Sequence, residues 1–187
     1  WIAADPRNAD VLFPYLNGED LNSRPDASAS RWVIDFNSRP EEQALLYGLP
    51  FERVVERVRG ERAKNNRKVY RDRWWQFAEK RPAMRKAISG LDEVLVVTIT
   101  SKTLMPVRVK NRSVFSHMLT VIASGSYALQ AFVSSNVHQC WVVKNGSGLR
   151  GDSRYTPSDV FETFPRPHLA EESERALEAI GRTLDEE

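Results

Sequence analysis

Apolar positions change their spacing several times along the chain, and each change marks a candidate element. Val11-Leu12-Phe13-Pro14-Tyr15-Leu16 is a short apolar stretch in a region rich in Asn, Asp, Ser and Pro. The Asn17-Gly18 that follows predicts a turn with positive φ. Arg31-Trp32-Val33-Ile34-Asp35-Phe36 has the β-branched and aromatic content of a strand. Pro40-Glu41-Glu42 then opens a helix, with proline and acids in its first turn. Leu45, Leu46, Leu49, Val54, Val55 and Val58 continue apolar at helical spacing. Residues 59–73 are almost without apolar side chains and fit a loop or an exposed helix. Trp74-Trp75-Gln76-Phe77 precedes a short helix from Pro82 to Ser89, ended by Gly90.

Three strand signals come next: Val94 to Thr100, Met105 to Lys110, and Val114 to Ala123. Tyr127 to Val143 predicts one helix with Leu129, Phe132, Val133, Val137 and Trp141 on one side. Asn145 to Tyr155 is a polar, glycine-rich loop. Phe161, Phe164, Pro165 and Pro167 close the globular part. In the acidic helix 169–187, Leu169, Ala176, Leu177, Ile180 and Leu184 recur at a 3–4 spacing that needs a partner surface. The architecture is therefore α+β: a mostly antiparallel sheet with flanking helices, plus a C-terminal helix.

Composition narrows the class. With 187 residues, 41% hydrophobic and 28% charged, the chain suits one globular domain and an appendage. No apolar run approaches the roughly 20 residues that cross a bilayer. The opening Trp1-Ile2-Ala3-Ala4-Asp5 is no secretory signal and lacks Met, which fits an excised fragment. One cysteine, Cys140, excludes an intrachain disulfide and fits a reducing cytoplasm. Three scattered His and that Cys assemble no metal site by spacing. Charge is unevenly spread: residues 52–86 carry thirteen Lys/Arg against five Asp/Glu, and 171–187 two Arg against seven acids. A polyanion-facing part beside an acidic part accounts for this, as does a solvated helix face.

Catalytic chemistry is missing. There is no Pro-Pro dipeptide of the kind that grips a flipped adenine, and Gly146-x-Gly148 follows a helix where a cofactor loop would follow a strand. Lys102 and Lys110 are preceded two residues earlier by Thr100 and Arg108, so neither strand carries the Asp/Glu-x-Lys of a metal-dependent nuclease. Ser116 and His117 are strand neighbours facing opposite sides, a poor nucleophile–base pair.

Several stretches, in order over about residues 5–167, resemble one family. Asp5 to Asp10 and Phe13 to Leu21 are similar to the lead-in of specificity domains in adenine-specific bacterial methyltransferases. Arg73-Trp74-Trp75-Gln76-Phe77-Ala78, Val97 to Lys102, Val114 to His117, Ser134-Ser135-x-x-His138-x-x-Trp141, Gly148-Leu149 with Arg154-Tyr155, and Ser158 to Pro165 are similar to segments of MmeI-like (type IIL) restriction–modification enzymes. The family usually ends this region with Phe-Pro-Phe/Leu-Pro, where this chain has Phe164-Pro165-Arg166-Pro167. The resemblance implies a target-recognition domain in a longer bacterial, cytoplasmic polypeptide, partnered by double-stranded DNA and by the methyltransferase domain of the same chain. The parent would methylate adenine N6 with S-adenosylmethionine and cleave DNA with Mg²⁺; the fragment itself would hold no cofactor and catalyse nothing. Residues 1–30 would lead in from the methyltransferase, 31–167 would form the recognition domain, and 168–187 the acidic helix. The alternative is an interaction or scaffold domain whose basic tract and acidic helix dock on partners.

Candidate contacts follow. Ser101, Lys102 and Thr103 at a strand end offer two hydroxyls and a cation to a base edge or phosphate. In the run Arg150-Gly151-Asp152-Ser153 a cation and a carboxylate stand two apart on either side of a glycine; in extended backbone both project to one side. Arg offers a bidentate donor to guanine and Asp an acceptor for cytosine N4, and the resemblance implies exchangeable base-reading charges here. His117 is either a further DNA contact or a satisfied strand histidine. Phosphates would meet Arg62, Lys64, Arg67, Lys68, Arg108 and Arg154. Trp74 and Trp75 serve as core or interdomain anchors rather than base-stacking platforms, and His138 and Cys140 are structural.

Overall fold

Capping and strand chemistry set most boundaries of the fold. A computed structural model of the chain describes residues 1–101, 103–149 and 152–186. In chain order the elements are β1 (Leu12–Leu16), α1 (Gly18–Ser23), β2 (Arg31–Ile34), α2 (Glu41–Ala44), α3 (Gly48–Val54), α4 (Gly60–Ala63), α5 (Lys68–Asp72) and α6 (Pro82–Ile88). There follow β3 (Glu93–Thr98), β4 (Thr100–Ser101), β5 (Val107–Lys110), β6 (Val114–Phe115), β7 (Leu119–Ile122), α7 (Tyr127–Ser134), α8 (Asn136–Asn145), β8 (Ser147–Leu149), β9 (Asp152–Arg154), α9 (Pro157–Val160) and α10 (Glu171–Glu186). The class is α+β with small antiparallel sheets. Two compact units emerge: Trp1–Tyr15 with Arg31–Pro82, and Leu16–Ser30 with Ala83–Glu187. Residues 16–30 and the terminal helix thus both fall in the second unit.

In the first unit β1 and β2 pair antiparallel, from Leu12↔Ile34 to Tyr15↔Arg31. Their apolar side packs with α2 and α3 on a core of Val11, Phe36, Ala44, Phe51, Val54 and Trp74. The Trp74 ring meets Phe51 edge-on at 5.5 Å and Trp75 at 5.9 Å. Trp75 Nε1 donates to the Arg39 carbonyl at 3.0 Å, so both tryptophans anchor the core. Helical spacing overcounts the buried face here. Leu45, Leu46 and Leu49 are exposed, because the inward positions are Ala44, Phe51 and Val54. A wide π turn over Val55–Arg59 leads into α4, and the basic stretch forms two short exposed helices, α4 and α5.

In the second unit β3 is the centre of the sheet β5-β3-β7, with Val96↔Val107 on one side and Leu95↔Ile122 on the other. Alternate side chains of a strand face opposite sides. Accordingly Leu95 and Val97 enter a cluster with Leu104, Val142 and Tyr155, whereas Val94 and Val96 enter one with Leu16, Ile88 and Phe115. Asn17-Gly18 makes no positive-φ turn. Asn17 is an N-cap at φ −128°, its Oδ1 accepting the N–H groups of Glu19 and Asp20 while Asp20 caps back, so Gly18 starts α1.

Residues 127–143 form two helices where apolar spacing predicts one. Ser135 ends α7 and caps α8: its Oγ donates to the Phe132 carbonyl at 2.7 Å and accepts from His138 N at 3.3 Å. The break turns Val137 outward. Cys140 is exposed, so it has no packing role.

The acidic helix α10 finds its partner surface on α7. Gly181 is buried against the α7 N-terminus, and no side chain would fit between it and the Tyr127 backbone. Around this contact the Arg108 side chain is 3% exposed, with Asp185 3.2 Å from its Nε and Glu93 3.6 Å from Nη1. It donates to Gly125 O and Gln130 Oε1, each at 2.7 Å, and its Cζ stands 3.7 Å from the Tyr127 ring centroid. Arg182 of α10 lies 4.4 Å from the same centroid. The expectation that Arg108 meets phosphate is therefore corrected: two carboxylates and a tyrosine ring enclose it. Lys110, hydrogen-bonded at 2.6 Å, and then Arg108 hold the Glu93 carboxyl below its ordinary range.

Candidate nucleic-acid interface

The strand that begins as β3 does not end with its sheet. At Ile99 it changes partners: Ile99 N donates to the Met118 carbonyl at 2.8 Å, and the Ile99 carbonyl accepts Tyr155 N at 2.7 Å. Beyond this residue β4 pairs with β9, Thr100↔Arg154 and Ser101↔Ser153. In turn β9 pairs with β8, Ser147↔Arg154 through Leu149↔Asp152. Segments distant in sequence, 100–101, 116–118 and the paired strands 147–149 and 152–154, are thereby tied together around one backbone residue. The glycine-rich stretch is a hairpin, where its polar composition predicts a loop. Gly146 enters it with no room for a Cβ, which would stand 2.6 Å from Val142 O.

Directly opposed residues share a face of an antiparallel ladder. Thr100, Arg154 and Ser147 form one such rung, and Arg154 is exposed. Ser101 lies on the other face, 8% exposed; its Oγ accepts Thr103 N at 3.2 Å and donates to Asn22 Oδ1 at 3.3 Å. Thr103 is exposed. Lys102 and Arg150 lie outside the described residues, and Asp152 opens β9 opposite Leu149. An open cleft of about 500 Å³ runs beside the rung, lined among others by Asn22, Ser23, Thr98, Thr100 and Met118.

His117 is not on a strand. Residues 116–118 form a turn between β6 and β7, closed by Leu119 N on the Ser116 carbonyl at 3.1 Å and Met118 N on Ser116 Oγ at 3.2 Å. The His117 side chain is exposed on that turn, next to the Met118–Ile99 bond. Asn22, Thr100 and Ser147 were not singled out by sequence reasoning. Thr100 and Ser147 were visible only as polar residues of a strand and a loop, and the Asn17–Asp20 capping pattern was the one local sign that Asn22 sits on a helix.

Beneath the hairpin, α8 supplies a rigid base. His138 is buried with its Nε2 3.1 Å from the Tyr155 hydroxyl and its ring 4.4 Å from that of Phe164. Burial, helped by the Arg166 charge, lowers the His138 pKa to about 4, and burial raises that of the Tyr155 hydroxyl. The imidazole is therefore neutral at pH 7, and Tyr155 couples it to the end of β9.

In the first unit the basic helices carry their charges on aromatic supports. Arg62 donates to the Gln76 carbonyl at 2.5 Å, and both Arg62 and Arg67 lie against the Tyr70 ring, 5.0 and 5.9 Å from its centroid. Lys64 is exposed, and Lys68 is exposed with Asp72 4.0 Å away. Exposed ion pairs of this kind contribute little and leave the ammonium available to another anion. Among the described residues no group of three or more His, Cys, Asp or Glu is placed to hold a metal ion, and no helix is long and apolar enough to cross a membrane.

Comparison with known proteins gives this geometry a context. The profile of the family described as MmeI, target recognition domain, matches residues 1–168. The chain is also similar in fold to the type IIL restriction–modification enzyme MmeI solved in complex with DNA, at 20% sequence identity and a TM-score of 0.70. That likeness covers 97% of this chain and 24% of that one, so the chain spans about a quarter of the length of the enzyme it resembles. No curated protein matches significantly. With a family profile matched along residues 1–168, the chain belongs to the MmeI target recognition domain family.

Proposed function

We propose that this chain reads DNA sequence for a longer bacterial restriction–modification enzyme and performs no catalysis itself. The observation that carries the reading is the change of partners at Ile99, which ties β4, the 116–118 turn and β9 to one backbone residue. Lys102, Thr103, His117, Arg150 and Asp152 are the side chains assigned to base recognition, and Ser101, buried and hydrogen-bonded to its neighbours, supports them rather than reading a base itself. Arg154 on its exposed rung, with Arg62, Lys64, Arg67 and Lys68, meets phosphates. An edge hairpin carrying donors and acceptors of this kind suits the major groove, where each base pair presents a distinct pattern. The related enzyme was solved with DNA bound, which supports the same partner here.

In the parent, the methyltransferase domain would transfer a methyl group from S-adenosylmethionine to adenine N6, and a nuclease would use Mg²⁺. Neither group is assigned to residues of this chain. The scaffold alternative loses one of its two arms, because α10 is already engaged by α7. Mobility shift of the chain with duplex DNA over a series of salt concentrations tests the proposal. Binding whose logarithm falls linearly with log salt, with a slope of about 0.9 per phosphate contact, is expected. Absence of a shift at low salt would overturn it.

A further inference from the structure

Helix α1 has only six residues, yet it is firmly held. Asn17 Oδ1 accepts the N–H groups of Glu19 and Asp20 at 2.7 and 3.2 Å, and Asp20 Oδ2 accepts that of Asn17 at 3.1 Å. Asp20 is 2% exposed and also takes Ser30 N at 3.3 Å. Leu21 packs on the cluster holding Val94 and Val96. Gly18 abuts β3, where a Cβ would already touch Thr98 Cγ2 at 3.4 Å. The last turn of this fixed helix brings the Asn22 carboxamide oxygen to the Ser101 hydroxyl at 3.3 Å, across 79 positions of sequence.

A hydroxyl has one proton to give and lone pairs to accept with. At Ser101 the proton goes to Asn22 and a lone pair takes Thr103 N–H. Being 8% exposed, Ser101 has little surface to offer a base; its hydroxyl instead orients the exposed Thr103, whose N–H it accepts. We propose that Asn22 is a positioning residue for base recognition, which fixes the Ser101 hydroxyl and through it the backbone N–H of Thr103. The inference rests on the DNA-reading function proposed above. It adds α1, which the sequence places in a lead-in, to the machinery that sets specificity.

The test is selection of bound duplexes from a randomised library by the 187-residue chain and its variants. Asn22→Leu removes the acceptor, Asn22→Asp keeps it, and Ser101→Ala removes the donor. Asn22→Leu and Ser101→Ala are each expected to weaken preference about three- to tenfold at the same single base position, the worth of one hydrogen bond. The double variant should lose no more than either single one. Asn22→Asp should retain the preference at that position, and all four variants should keep the salt slope, which reports an intact fold and its phosphate contacts. An Asn22→Leu pool identical to the parent's, or one altered at a different position from Ser101→Ala, would overturn the inference. A parent chain that selects no motif would overturn the proposed function itself, and this is read before any variant is compared.

Discussion

Replacing Gly181 with alanine sets helix propensity against packing, and the structure says which wins. In an isolated helix the change stabilises by about 1 kcal/mol. In this chain the new Cβ would overlap the Tyr127 carbonyl oxygen and stand 2.6 Å from its carbonyl carbon and 2.9 Å from its Cα. These are backbone atoms of α7 and cannot rotate aside. Relief requires α10 to withdraw by about an ångström, which lengthens the Asp185–Arg108 pair and lifts Arg182 from the Tyr127 ring. Arg108, its side chain 3% exposed, would keep Glu93 but lose its closer carboxylate. Unpairing a buried charge fully costs about 3–5 kcal/mol. With one acid retained, about half of that is at stake, and set against the propensity gain of about 1 kcal/mol this leaves a net loss of about 0.5–1.5 kcal/mol. Urea unfolding read by far-ultraviolet circular dichroism measures it, with Ala179→Gly on the exposed side of α10 as the control for propensity alone. Stabilisation by Gly181→Ala would refute the close approach of the two helices.

Other expectations concern acid, salt and sequence preference. His138 has a folded pKa of about 4 against an ordinary 6.5, so the unfolded chain binds the extra proton between these values. Its contribution to stability is complete above pH 6.5, is lost progressively as pH falls toward 4, and amounts to at most about 3 kcal/mol; His138→Gln should flatten the urea midpoint across that window, and an unchanged pH dependence would contradict the assignment. Neutralising Arg62, Lys64, Arg67 and Lys68 together should reduce the salt slope by up to about 0.9 per lost contact while leaving base preference alone, and an unaltered slope would make this tract a solvated face. Exchanging Arg150→Glu with Asp152→Arg in the parent polypeptide should redirect preference at one position, where each correct contact is worth about 1–3 kcal/mol; the methylated motif mapped in a host genome reads it, and an identical motif removes these residues as readers.

Local chemistry made part of this fold legible. β-branched runs marked β2, β3 and β5, proline and glycine bracketed α6, and a 3–4 apolar spacing marked α10 as a helix in need of a partner. The breaks were harder to see. Ser135 interrupts a continuous apolar pattern because a single hydroxyl caps one helix and closes another, which periodicity does not register. Residues 116–118 turn inside a run that alternates like one strand, and this moves His117 from a strand face to an exposed tip. Arg108 looked like a free cation until α10, 77 residues further on, supplied Asp185. The proposed recognition site is legible in the sequence as residue types and opaque as an assembly. Nothing local to Asn22, Ile99 or Ser147 reports the long-range pairing that joins them.

Sequence preference is the property on which the account turns, and selection from a fully randomised duplex library measures it directly. The chain is expected to enrich one short motif, with discrimination of about 1–3 kcal/mol at each position it reads. A bound pool that retains the composition of the input library, while binding stays salt-sensitive, would leave a domain that holds the DNA backbone without reading it, and would contradict the account.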